Sequence, residues 1–147
     1  MVKKQFANPR DYALKLSELI QGTEEAGENV APFFEKLRDA IDADKVAELP
    51  KAEFEEIAAE FDDVVEFYQA TAAKITAMKA PVRLIGTHAS LAKTFTAYAA
   101  ATDMMAKSLD VANQSINMAD FEQSENDQDT LMAEFLKHVR RAMSLAV

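Results

Sequence analysis

The chain has no cysteine and no tryptophan, and only three glycines and four prolines in 147 residues. Without cysteine there can be no disulfide scaffold, thiolate zinc site, iron–sulfur cluster or cysteine nucleophile. Three glycines leave little material for a phosphate cradle. Neither Gly-x-Gly-x-x-Gly, nor a Walker loop, nor Gly-x-Ser-x-Gly occurs. No apolar run reaches the about 20 residues that span a bilayer. No apolar stretch follows Lys3 and Lys4 to make a secretory leader. These absences predict a cytoplasmic protein without membrane contact and without a cofactor.

Bases are also scarce. The net charge is −9 and unevenly spread. Residues 18–66 hold 16 acids and 4 bases, whereas residues 67–119 hold 2 acids and 5 bases. An acidic chain repels phosphate backbones, so nucleic acid is not an expected partner. The sparsely charged middle suits a helix surrounded by protein.

What the chain does have is apolar periodicity. Leu84, His88, Leu91, Phe95, Tyr98, Thr102, Met105, Leu109, Ala112 and Ile116 follow steps of four and three. Phe54, Ile57, Phe61, Val64, Tyr68, Thr71, Ile75 and Met78 do the same. Such seams belong to helices packed lengthwise. The length fits one domain, 1–147. The expected fold is all-α: an antiparallel bundle of four or five helices, two short N-terminal ones followed by three longer ones.

Local signals set the expected boundaries. Asn8 before Pro9 reads as a cap and a first-turn proline. The first helix is expected to stop at Gly22, with Glu24, Glu25 and Gly27 as a connection. A second short helix then covers about 29–43. A third begins after Pro50. Pro81 is either a turn or a kink, and a turn is favoured, because one helix over 51–117 would run about 100 Å. The fourth is expected to end near Asn117. Asp120 with Gln123 resembles a capping box for the fifth, and a later start at Asp127 is the alternative.

Candidate chemistry is thin. His88 lies on an apolar seam and could ligate a metal or titrate. The plainer reading is a buried imidazole bonded to a backbone carbonyl or to the hydroxyl of Thr71 or Thr102. His138 shares a helix face with Glu134. Di-iron bundles need Glu-x-x-His twice, and that motif is absent. His88, His138 and Glu134 are therefore the only metal candidates, as an improvised site. Glu125 to Asp129 alternates acids like a calcium loop, but Thr130 stands where such a loop needs glycine. Tyr12, Tyr68 and Tyr98 fall on seams and read as core residues with bonded hydroxyls.

Seven acids fall between Glu53 and Glu66 with no base from Lys51 to Lys74. They form a solvated helix face or a docking face for a basic partner, with Glu53, Glu56, Glu60 and Asp63 as partner-binding candidates. The leading expectation is a non-enzymatic bundle for self-association, as in a homodimer, or for binding another protein. The alternatives are a metal-binding bundle or enzyme centred on His88 or His138, and a small-ligand carrier with a cavity among Phe61, Tyr68, Phe95 and Met105.

Overall fold

The computed structural model describes residues 8–146. It is all-α apart from one tiny hairpin, and has four long helices rather than five. They are α1 (Pro9–Asp42), α2 (Lys51–Ala77), α3 (Ile85–Lys107) and α4 (Met118–Ala146). The strands β1 (Leu109–Asp110) and β2 (Ser115–Ile116) pair antiparallel between α3 and α4.

The expectation of two short N-terminal helices is wrong. α1 runs unbroken for 34 residues through Gly22, Gly27 and Pro32. Glycine costs about 1 kcal/mol in a helix interior, and proline about 3. Packing outweighs those local costs. Tyr12 and Leu16 before the weak stretch, and Leu37 after it, are buried in the bundle core. No glycine here has a positive φ, so all three keep backbone conformations open to other residues. The start of α1 does follow the sequence signal: Asn8 Oδ1 accepts from Arg10 N–H at 2.8 Å.

α1 ends in a left-handed turn. Asp44 sits at φ 56°, and the Lys45 N–H donates to the Ala40 carbonyl at 2.7 Å. That bond closes the helix end in a Schellman arrangement. Pro81 marks a true turn: α2 stops at Ala77, and a single 3-10 turn, Val82–Leu84, leads into α3.

Two further boundaries differ from expectation. α3 ends at Lys107, ten residues early, because the chain turns back through the hairpin. Gln114, at φ 50°, makes the turn possible. Its side-chain amide donates to the carbonyls of Val46 and Leu49, at 3.0 and 2.7 Å. The cap of α4 is Asn117, whose Oδ1 accepts from Asp120 N–H at 3.2 Å. Asp120 is thus inside the helix rather than its cap, and Gln123 bonds Asp127 instead. The calcium-like run 125–129 and the alternative start at Asp127 both fall within α4.

Successive helices run antiparallel, and the core divides by end. One cluster joins Tyr12 and Leu16 of α1 with Ile75, Leu91, Phe95, Phe135 and Ala142. The other joins Leu37 with Phe54, Ile57, Met105 and Phe121. α3 packs broadly on both α2 and α4, and α2 packs on α1. α1 and α4 meet at far fewer points. No described helix is long and apolar enough to cross a membrane.

Candidate functional site: a cavity at the waist of the bundle

The stretch from Gln21 to Asn29 contains only one apolar side chain besides its glycines, Ala26. Here α1 brings nothing bulky to the bundle. Gly27, near the end of this stretch, lines a cavity of about 310 Å³ whose walls come from all four helices. Interiors otherwise hold few voids larger than a water molecule. Its volume sits at the lower end of the about 300–1,000 Å³ usual for ligand pockets.

Each helix contributes one kind of wall. α1 supplies Gly27, Val30, Ala31 and Phe34. α2 supplies Phe61, Val64 and Tyr68. α3 supplies Tyr98, Thr102 and Met105. α4 supplies the polar rim: Glu125, Gln128 and Asp129. The scarcity of α1–α4 contact places the opening along that seam. Gly27 matters by its size, since a Cβ there would stand 3.6 Å from the Tyr68 hydroxyl.

Below the cavity lies an aromatic stack. Tyr68 meets Tyr98 edge-on with centroids 5.3 Å apart. Phe95 packs against Tyr98 at 5.6 Å and Phe135 at 5.0 Å. One edge-on and two tilted pairs at these spacings hold the rings against one another. Burial raises the pKa of both Tyr68 and Tyr98. Their mutual hydrogen bond lowers Tyr68 and raises Tyr98, and the negative charge of Asp129 raises Tyr98 further. Both are neutral phenols at pH 7.

The wall's hydrogen-bond donors are largely committed. Thr102 Oγ1 donates to the Ala99 carbonyl at 2.7 Å. Gln128 Nε2 donates to Ser124 Oγ at 2.9 Å and approaches Met105 Sδ at 3.6 Å. Ser124 in turn donates to the Ala101 carbonyl at 2.6 Å. What the α4 rim adds is therefore acceptor, the Gln128 carbonyl oxygen and two carboxylates, while the phenol hydroxyls of Tyr68 and Tyr98 stand on the opposite walls. Glu125 is partly engaged by Arg38, at 3.3 Å. Asp129 has no ion-pair partner among the described residues. Among the described residues, no lysine or arginine lines the cavity.

The expected ligand-lining set is met in part. Phe61, Tyr68 and Met105 line the cavity, but Phe95 is wholly buried beneath it. Sequence reasoning missed Gly27, Ala31, Tyr98 and the α4 rim. The available signal was the lack of large side chains over 21–29, which reads as a loop unless α1 is known to continue.

His88 is placed differently. It is buried at the other end of α3's seam, with Nε2 donating to the Ile75 carbonyl at 2.8 Å. Nδ1 then accepts from the Tyr12 hydroxyl at 2.7 Å. The carbonyl fits expectation; the hydroxyl is Tyr12's, not that of Thr71 or Thr102. Burial lowers the imidazole pKa, and the Ile75 bond opposes this. Burial pushes Tyr12 up to about 12. His138 is half-buried and Glu134 exposed on α4. Among the described residues, no three His, Asp or Glu side chains converge as metal ligands.

The acidic run of α2 points outward. Glu56 and Asp63 are exposed, and Glu60 is half-buried. Glu53 pairs with Lys36 of α1 at 3.5 Å. No known protein family, curated protein or solved structure matches the chain.

Proposed function

We propose that this protein is a binding bundle that holds a small ligand at its waist. The observation that carries the reading is the cavity itself: about 310 Å³, walled by four helices and rimmed by acceptors. Convergent polar groups on an otherwise apolar pocket are the usual form of a ligand site. The reading is of binding alone: among the described residues, no three His, Asp or Glu side chains converge on a metal site beside the cavity. Ala31 lies on the wall, so Ala31→Leu fills the site. NMR with small aromatic fragments tests it. Shifts should concentrate on Tyr68, Tyr98 and Met105 and vanish in Ala31→Leu. Shifts scattered over the surface, or indifferent to Ala31→Leu, would overturn the proposal.

A second reading rests on a separate observation, the outward-facing acids Glu56, Glu60 and Asp63. They support docking of a basic protein partner, with Glu53 half-committed to Lys36. Self-association is part of the same reading. Light scattering over a salt series tests it: a salt-insensitive dimer would favour apolar self-association, and a monomer at every salt would leave only the basic partner.

A further inference from the structure

We infer that the ligand of the waist cavity is an organic cation, a substituted or quaternary ammonium group on a small apolar body. This inference rests on the proposed ligand site and adds its chemical class.

Three features point to positive charge. The first is the aromatic lining. Phe34, Phe61, Tyr68 and Tyr98 all border the cavity. Aromatic faces attract cations through their quadrupoles, most strongly where water is excluded. Phe34 is itself held in place, stacked on Phe121 at 6.1 Å with ring planes 7° apart.

The second feature is the polarity of the rim. Gln128's amide nitrogen is bound to Ser124, so the amide offers its oxygen. Asp129 adds a carboxylate with no ion-pair partner among the described residues. Glu125 adds a second, shared with Arg38. A carboxylate or phosphate ligand would meet these acceptors with no lining cation to offset them. A neutral ligand would fill the space but leave the acceptors unanswered, which costs binding when groups are desolvated.

The third feature is the field. The chain carries −9, and the rim lies on α4 within residues 120–134, which hold six acids, Glu125 and Asp129 among them, and no bases. A concave site edged by one sign of charge concentrates ligands of the other sign.

The test compares three probes with the same apolar body: benzyltrimethylammonium, benzyl alcohol and phenylacetate. Affinities are read by NMR titration at fixed salt. The cation should bind about tenfold or more tighter than the alcohol, and phenylacetate should be weakest. Asp129→Asn should reduce cation affinity about three- to tenfold while leaving the alcohol within about twofold, the range expected for one partly screened charge. Asp129 is exposed, so the variant keeps its fold. Equal binding of cation and alcohol, both lost in Ala31→Leu, would overturn the cationic class and leave the cavity reading standing. No binding by any probe would overturn both. Cation binding that survives Ala31→Leu and disappears with salt would be surface attraction and would also overturn the inference.

Discussion

The two ends of the bundle and its waist are built from the same four helices, yet they pack differently. At the ends, every helix contributes a large side chain: Leu16, Ile75, Leu91 and Phe135 at one, Leu37, Phe54, Met105 and Phe121 at the other. At the waist, α2 and α3 bring Phe61, Tyr68 and Tyr98, while α1 alternates the small Gly27 and Ala31 with Val30 and Phe34. The difference lies in one helix. A bundle is hollow where one of its members is thin, and its stability then comes from either side of the gap.

That contrast is open to measurement. Phe135→Ala should cost about 3–5 kcal/mol in urea unfolding, since it opens a hole in a filled core. Phe61→Ala, beside space that already exists, should cost distinctly less. Equal losses would erase the distinction between end and waist.

The end that holds Tyr12 is also tied by polar bonds, and these can be cut alone. Tyr12→Phe leaves His88 Nδ1 buried without its donor and should cost about 1–3 kcal/mol. The same tie predicts pH dependence. The folded imidazole has a pKa below its ordinary 6.5, so between the two values the unfolded chain binds the extra proton. Stability contributed by neutral His88 is present above pH 6.5 and is lost as pH falls through the folded value. Thermal unfolding from pH 7.5 to 5 should show this fall, and His88→Gln should flatten it.

Smaller changes probe the waist. Gly27→Ala should raise stability by about 0.5–1 kcal/mol, because the new Cβ meets Tyr68 only at ordinary contact distance. It should also weaken the fragment binding described above. A loss of stability would mean that α1 cannot tolerate even a methyl group there. Smallest of all, Glu56→Gln with Asp63→Asn should change stability by less than about 0.5 kcal/mol, as for exposed charges without partners. Circular dichroism on heating suffices to check it.

How much of this was legible beforehand follows the same division. The seams of α2 and α3 are legible in sequence because both helices are apolar along one stripe, and nearly every stripe position up to Leu109 is buried or half-buried. Beyond Leu109 the pattern continued while the helix did not, since spacing cannot register a turn that Gln114 makes by adopting φ 50°. α1 was misread for the opposite reason. Gly22, Gly27 and Pro32 argue locally for a break, and only contacts with Tyr68, Phe54 and Phe121, distant in sequence, keep the helix whole. The cavity was half legible: its aromatic wall follows a period, whereas its open side is an absence. His88 could be placed on a buried face, but its partner Tyr12 lies 76 residues away.

The tie between Tyr12 and His88 at one end, and the Phe34–Phe121 stack with the Arg38–Glu125 pair at the other, hold α1 as a beam is held at two supports. About 33 Å of helix separates Tyr12 from Phe34, at 1.5 Å per residue. A beam fixed at both ends deflects most at midspan, where this one carries its glycines. Gly27, on the cavity wall, thus lies in the least braced part of the helix.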